Sequence, residues 1–427
     1  MEEGLLAKER GDRGEVLRWG VFVEEVKRVG FIAGPMVAVT VSQYLLQVIS
    51  VMMVGHLGEL ALSSAAIASS LTGVTGFSLL LGMASALETL CGQAYGAQQY
   101  RKLGSHTYGA ILSLNLVCVP LSLIWVSMGK LLSLIGQDPA ISREAVFRSG
   151  LGNVGAALAI SISYWLNVIF LVLYMKFSSS CGKTRVPLSM EAFRGIGEFV
   201  RLAVPSAVMI CLEWWSFELL VLLSGLLPNP ELETSVLSVC LTTISLLYTI
   251  PYGVGAAAST RVSNELGAGN PQAARTAVCA VMFLSLTETT ILSTSLYAGR
   301  YIWSYAYSNE KEVVNYVKGM APLISMSVVM DSLQGVLSGV ARGCGWQHIG
   351  AYVNLGAFYL AGVPIAAFLG FRTPLRGKGL WIGILTGSTL QSAMLSLITI
   401  FTNWEKQAIK AKERIFEGRF SIENGLN

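Results

Sequence analysis

Three carboxylates stand out inside the long apolar runs of this chain's second half. Glu213 and Glu218 lie in Cys211-Leu212-Glu213-Trp214-Trp215-Ser216-Phe217-Glu218, and Asp331 lies in Val329-Met330-Asp331-Ser332-Leu333-Gln334. A charged side chain in hydrocarbon costs at least ~2.5–3.5 kcal/mol on insertion scales, so such a group faces a wet cavity, finds a partner or takes up a proton. A carboxyl withdrawn from water favours its neutral form, and more so with a second carboxyl nearby. The chemistry on offer is reversible proton binding, with a cation held or released as the acid changes charge. The competing reading is a carboxyl hydrogen-bonded within a helical bundle, acting only as glue between helices.

Spacing refines the choice. Glu213 follows Pro205 by eight residues, near the middle of its apolar run, and Glu218 comes five residues later. Five steps of about 100° set the two about 140° apart around a helix. A narrow groove therefore reaches one of them, and a wide cavity both. Asp331 is midway along its own run. Glu88 and Glu265, at the ends of such runs, read as structural. The first half offers no matching acid: its first apolar run carries Gln43, Gln47 and Ser50. Gln43 and Gln47 are one helical turn apart, suited equally to lining a cavity and to bonding a neighbouring helix. Asn354 and Tyr359 are candidate partners for Asp331 and candidate cavity residues. Trp214, with Trp215 and Phe217, offers aromatic surface for flat cations by cation–π attraction, or for lipid and core packing.

The elements that position these residues follow from composition. Of 427 residues, 53% are hydrophobic and 13% are charged, with a mean hydropathy of +0.58. A soluble domain carries roughly 25% charge. So much apolar surface requires lipid, where only helices or closed barrels satisfy their backbone. The apolar runs are about 20 residues or longer, which suits helices rather than ~10-residue barrel strands. Ten spans are expected, near 31–54, 62–90, 109–135, 151–177, 199–226, 235–260, 276–298, 313–340, 349–370 and 379–402. Lys and Arg divide 21 to 9 between the two sides, which places both termini in the cytoplasm by the positive-inside rule. The net charge of +4 gives no sign of a nucleic-acid partner, and the seven Cys form no CxxC pair. No HExxH, GxSxG or P-loop is present, so no enzyme chemistry is expected. Residues 1–28 are polar and charged, so no cleaved signal peptide is expected.

The chain also repeats itself. Gly82 corresponds to Gly253, Ala86 to Ala257, Gln93 to Asn264 and Gly96 to Gly267, each 171 positions on, and Pro35 to Pro205 at 170. Each copy leaves a long apolar helix through a polar segment: Cys91-Gly92-Gln93-Ala94-Tyr95-Gly96 in one, Arg261-Val262-Ser263-Asn264-Glu265-Leu266-Gly267 in the other. Gly96 and Gly267 are read as allowing tight turns, and the two exits as hinges or lobe anchors. Two homologous membrane halves with a site between them is a transporter pattern. The expected domains are a tail at 1–30, an N-lobe at 31–177, a linker at 178–198, a C-lobe at 199–402 and a tail at 403–427. Residues 185–201 read equally as an in-plane surface helix and as the first turns of the next span.

These strings, with Met53-Val54-Gly55-His56-Leu57-Gly58 and Gly339-Val340-Ala341-Arg342-Gly343-Cys344-Gly345-Trp346-Gln347, resemble the multidrug and toxic compound extrusion (MATE) family in its plant branch, the DETOXIFICATION group. The resemblance covers almost the whole chain. It implies an all-α integral membrane protein of two pseudo-repeated helical lobes, and a proton-coupled antiporter exporting organic cations, xenobiotics or secondary metabolites. Its other implications are a proton gradient and no cofactor or metal, a monomer in the plasma or vacuolar membrane, and roles in coupling or substrate binding for Glu213, Asp331 and Glu218. Many bacterial relatives carry an aspartate at the place of Ser50, so coupling is expected in the second lobe. The family pattern has twelve helices, and about ten are found here. From Gly267 to the end of the last span is 135 residues, whereas from Gly96 to the end of the fourth is 81. The first half is thus short by about 54 residues, near Glu144-Ala145-Val146-Phe147-Arg148-Ser149-Gly150. That is enough for two spans, the family's fourth and fifth, and it opens an alternative: a transport-incompetent splice or truncated form with a regulatory or structural role.

Overall fold

A computed structural model describes residues 2–55, 69–126, 151–187, 190–307 and 310–423. Among these the chain is all helix and turn. We number the helices α1 (Glu2–Gly55), α2 (Ser69–Gly96), α3 (Tyr100–Val126), α4 (Leu151–Phe177), α5 (Met190–Ser224), α6 (Pro230–Ala268), α7 (Pro271–Ala298), α8 (Arg300–Tyr307), α9 (Lys311–Cys344), α10 (Gln347–Arg372), α11 (Gly377–Ile400) and α12 (Trp404–Glu423). Nine are long and apolar enough to cross a membrane, and α4 contributes a shorter apolar stretch, Tyr164–Phe177. Each of the ten expected spans overlaps one of these helices, and the parts expected at 62–68 and 127–135 lie outside the described residues. The expected junction at Glu144–Gly150 lies outside the described residues.

One boundary differs from the sequence reading, and one open choice is decided. The amino-terminal tail continues the first span as one helix from Glu2. Residues 190–198 are the opening turns of α5, which runs unbroken through Pro205 to Ser224, so the linker holds no separate surface helix there. No proline falls between Met190 and Pro205, and Phe199 is fully buried in a cluster with Met83 and Ala203, which anchors these turns to α2.

The two halves meet through small residues. A Cβ on Gly82 of α2 would lie 2.5 Å from Ala207 Cα of α5, and one on Gly253 of α6 would lie 2.8 Å from Val37 Cα of α1. These are equivalent contacts in the repeat, exchanged between lobes. Where the repeated helices end, a Cβ on Gly96 would sit 1.9 Å from the Asn264 carbonyl oxygen, and one on Gly267 would sit 2.1 Å from that of Gln93. Both glycines are helical, so the expectation that they form the turns is corrected. The left-handed residues are Gln98 (φ 58°) and Gly269 (φ 77°), and Gly96 and Gly267 instead let two backbones touch. Small residues four apart, Gly92 and Gly96 against Ser263 and Gly267, form the small-xxx-small surface that lets membrane helices approach closely.

The larger cores lie in the second half. One joins α5, α6, α9, α10 and α11 around Trp381, Phe358 and Met320, and another joins α1, α6, α7, α9 and α12. Among the described residues the first half has one smaller cluster, shared with α5. All of residues 164–177 in α4 are exposed, Trp165, Phe170 and Phe177 among them. A helix inside a complete lobe would bury one face, and this one buries none over that stretch.

Two outcomes are expected. Gly267→Leu forces a side chain into a backbone that cannot yield, costing about 1–3 kcal/mol or more, read as a lowered unfolding temperature in detergent. Single cysteines walked along 164–177 in lipid should react with a lipid-phase reagent without helical periodicity, and a protected stripe every three to four positions would reveal a covering neighbour.

Candidate functional site

Glu213 is where five helices of the second half converge. From α9, Gln334 Nε2 donates to its Oε2 at 2.8 Å. From α11, Gln391 Nε2 donates to the same oxygen at 3.3 Å. The Tyr248 hydroxyl of α6 lies 3.4 Å from Glu213 Oε1 and equally far from Gln334 Oε1. Gln391 Nε2 also donates to Asn354 Oδ1 at 2.7 Å, and Asn354 Nδ2 donates to the Met209 carbonyl at 2.7 Å, one turn before Glu213 on α5. The carboxylate is half-buried, ringed by amide and phenol donors. Such a cage accepts a charged carboxylate, and its amide oxygens can turn to accept from a protonated one.

Asp331 belongs to the same cluster. It is buried, midway along α9. Tyr248 joins the two acids: it touches Glu213 and lines a hollow of about 10 Å³ with Asp331, Ser332, Ile244, Leu247 and Val328. That volume is near the minimum for one water molecule. Two acids far apart in sequence thus share one polar core midway along their helices.

The other expected site residues fall elsewhere. Glu218 lies away from this cage and accepts a 2.7 Å hydrogen bond from Ser70 of α2, across the lobe interface. Asn354 is fully buried and reaches Glu213 through Gln391, so its pairing with Asp331 is corrected: the Asn354 amide is already committed to Met209 and Gln391. Tyr359 is half-buried against the α5–α11 core. Gln43, Gln47 and Trp214 stand exposed. Trp215 is also exposed, yet its indole N–H donates to the Val74 carbonyl of α2 at 3.0 Å. Ser50 bonds within its own helix, at Leu46 O. Sequence reasoning missed Tyr248, Gln334 and Gln391. The signal was present: glutamines inside apolar runs, with Gln334 three residues beyond Asp331.

A second polar assembly ties the lobes together at the end of the bundle rich in Lys and Arg. Arg342 of α9 is buried and pairs with Glu88 of α2 at 2.9 Å. Thr89 donates to the Arg342 carbonyl, and Gln347 Nε2 donates to Thr89 Oγ1 at 2.6 Å. Gln93 Nε2 donates to the Gly343 carbonyl at 3.1 Å, and Arg414 of α12 donates to Gln93 Oε1 at 2.7 Å. Nearby, Arg261 binds Glu25 of α1 and Glu265, both at 2.7 Å.

Comparison with known proteins adds to this geometry. The MatE family profile matches residues 35–195 and 205–368, one block in each half. Protein DETOXIFICATION 12 of Arabidopsis thaliana is 54% identical over 450 residues, covering 93% of this chain and 94% of that protein. Protein DETOXIFICATION 14 of the same plant is 54% identical over 465 residues, covering 97% and 96%. The crystal structure of the eukaryotic MATE transporter AtDTX14 superposes with a TM-score of 0.88 at 54% identity, covering 92% of this chain and 100% of that one. An outward-facing multidrug resistance MATE transporter of the MOP superfamily shares the fold with a TM-score of 0.78 at 15% identity. Since 93% of 427 residues is about 397, about 53 of the 450 aligned positions have no residue from this chain.

Breaking a buried ion pair from one side strands the other charge, at a cost of about 3 kcal/mol for this partly shielded pair. Arg342→Met and Glu88→Met should each lower the unfolding temperature in detergent, and the double variant should recover part of the loss. Additive losses would show that the pair is not coupled.

Proposed function

The chain belongs to the MatE family of multi-pass membrane transporters, and from that premise we propose that it exports organic cations or related metabolites in exchange for protons. The supporting observation is the cage around Glu213, linked through Tyr248 to Asp331. With Glu213 or Asp331 ionised, the cluster attracts a cationic substrate. A proton entering from the acidic side neutralises the acid and weakens that hold, and loss of the proton on the other side restores it. If one state binds the substrate tightly and the other weakly, alternating access couples the two fluxes.

The lobes provide the moving parts. They are joined at the basic end by the Gly96 and Gly267 contacts and the Arg342–Glu88 pair. The Lys and Arg bias supports a cytoplasmic location for that end and for both termini. Access from the cytoplasm then requires these contacts to part. We place the protein in a plasma or vacuolar membrane as a monomer, powered by the proton gradient without a cofactor.

A second reading, a transport-incompetent form of a longer transporter, is favoured by one observation: α4 is exposed all round over 164–177, where a complete lobe would cover it. Reconstitution of this chain decides between the two. Ethidium efflux from vesicles should follow an imposed proton gradient and collapse with a protonophore. Glu213→Gln and Asp331→Asn should each reduce coupled efflux by about 100-fold, while Trp165→Ala should leave it unchanged. Efflux that survives both acid substitutions removes the proposed site, and no efflux from the folded native chain supports the second reading.

A further inference from the structure

Glu288 lies mid-way along α7, in Leu286-Thr287-Glu288-Thr289. Both of its carboxylate oxygens are shut away from the surface, and neither has a hydrogen-bond partner. Its neighbours show which way it faces. Ser285 donates to the Ser332 carbonyl of α9, Thr289 to that of Val328, and Ser293 to that of Ser325. This seam lays α7 along the back of α9, behind Asp331. Glu288 stands three residues along α7 from Ser285, whose hydroxyl reaches the Ser332 backbone, and no hydrogen bond engages its own oxygens. Ser332 also lines the hollow shared with Asp331 and Tyr248.

An ionised carboxylate with no donor in a membrane interior is costly. A neutral carboxyl in the same place has a use for its surroundings, because its O–H can donate to Ser332 Oγ. The titratable groups across the gap are Asp331 from α9 and Tyr248 from α6, while α1 presents apolar Val29 and Ala33 to α7. Glu288 thus lies on the face of α7 that packs on Ser332, and Ser332 lines the one-water hollow shared with Asp331 and Tyr248.

We propose that Glu288 is a second proton-binding station, connected to Asp331 through the Ser332 hydroxyl and one water molecule in the hollow between α6 and α9. This rests on the proton-coupled reading above and extends it. In transfer, the Glu288 O–H proton passes to Ser332 Oγ as the Ser332 hydroxyl proton passes to the water, and the water gives one proton to the Asp331 carboxylate. One proton leaves Glu288 and one arrives at Asp331, and Ser332 and the water are unchanged. Asp331 can then be recharged without solvent reaching it directly, because the reserve lies on the side away from the Glu213 cage.

The test uses the full chain in lipid, with two readouts. Infrared difference spectra between acidic and alkaline conditions report protonated carboxyl groups without requiring transport. Glu288→Gln should remove one carboxyl stretching band, and Ser332→Ala should shift that same band. In vesicles, proton-driven ethidium efflux should fall by about tenfold or more in Glu288→Gln and less in Ser332→Ala, with equilibrium ethidium binding unchanged in both. A Glu288→Gln spectrum with every wild-type band overturns the assignment, as does wild-type efflux in that variant. A chain that transports nothing, or whose efflux ignores Glu213→Gln, defeats the coupling reading alone, and the infrared result still decides Glu288.

Discussion

Two backbones touch where the second helix of each half ends, and the rest of the molecule is organised about that contact. Gly96 meets the Asn264 carbonyl and Gly267 meets that of Gln93, at separations that leave no room for a side chain. In lipid, apolar side chains gain little by leaving hydrocarbon for one another, so close van der Waals approach and hydrogen bonds must hold helices together. The repeat supplies both in duplicate. Gly82 against Ala207 and Gly253 against Val37 extend the quasi-twofold seam into the membrane. The Ser85–Ser206 hydroxyl contact at 2.6 Å and the Ser70–Glu218 bond add polar links between α2 and α5.

At the basic end the same closeness makes polar groups obligatory. Helix ends leave carbonyls without intrahelical partners, and here Gln93 reaches across to cap that of Gly343, while Thr89 adds a second donor to that of Arg342, which also accepts from the Gly345 N–H. The buried Arg342 takes Glu88 as its counter-ion. The helix α12 lies over this junction, with Arg414 on Gln93 and Trp346 Nε1 donating to Gln407 at 3.1 Å. Structural acids and site acids are thereby separated. Glu88 and Glu265 face arginines at the end of the bundle, whereas Glu213 and Asp331 face amides, hydroxyls and a phenol in its middle. An acid beside arginine has a permanent counter-charge, while one among neutral donors can exist with or without its proton.

The two halves are unequal. The second closes around Glu213 with α5, α6, α9, α10 and α11, and the first rests α2 and α3 against α5 through one small cluster. The 53 or so aligned positions without a counterpart agree with the shortfall of about 54 residues visible when the sequence is laid on itself. The exposed α4 stretch is what a lobe with missing neighbours should show. Losing a pair of spans leaves the direction of every later helix unchanged, so the second half keeps its arrangement.

Much of this was legible in one dimension. Hydropathy and run length determined an all-helical membrane protein, because lipid leaves the backbone no other open solution. The 171-residue periodicity revealed the paired lobes, and the isolated carboxylates marked where a charge would be costly. Those are local properties, carried by each residue's own solvation and spacing. Which acids share a core was decided by packing. Glu213 and Glu218 are five residues apart and serve different neighbours, because a helix turns them to different sides. Glu213 and Asp331 are 118 residues apart and share Tyr248, because α5, α6 and α9 cross there. Gly96 and Gly267 look like turn residues in sequence. Only the tertiary structure shows that their missing Cβ atoms are needed for contact, since a close approach depends on what lies opposite.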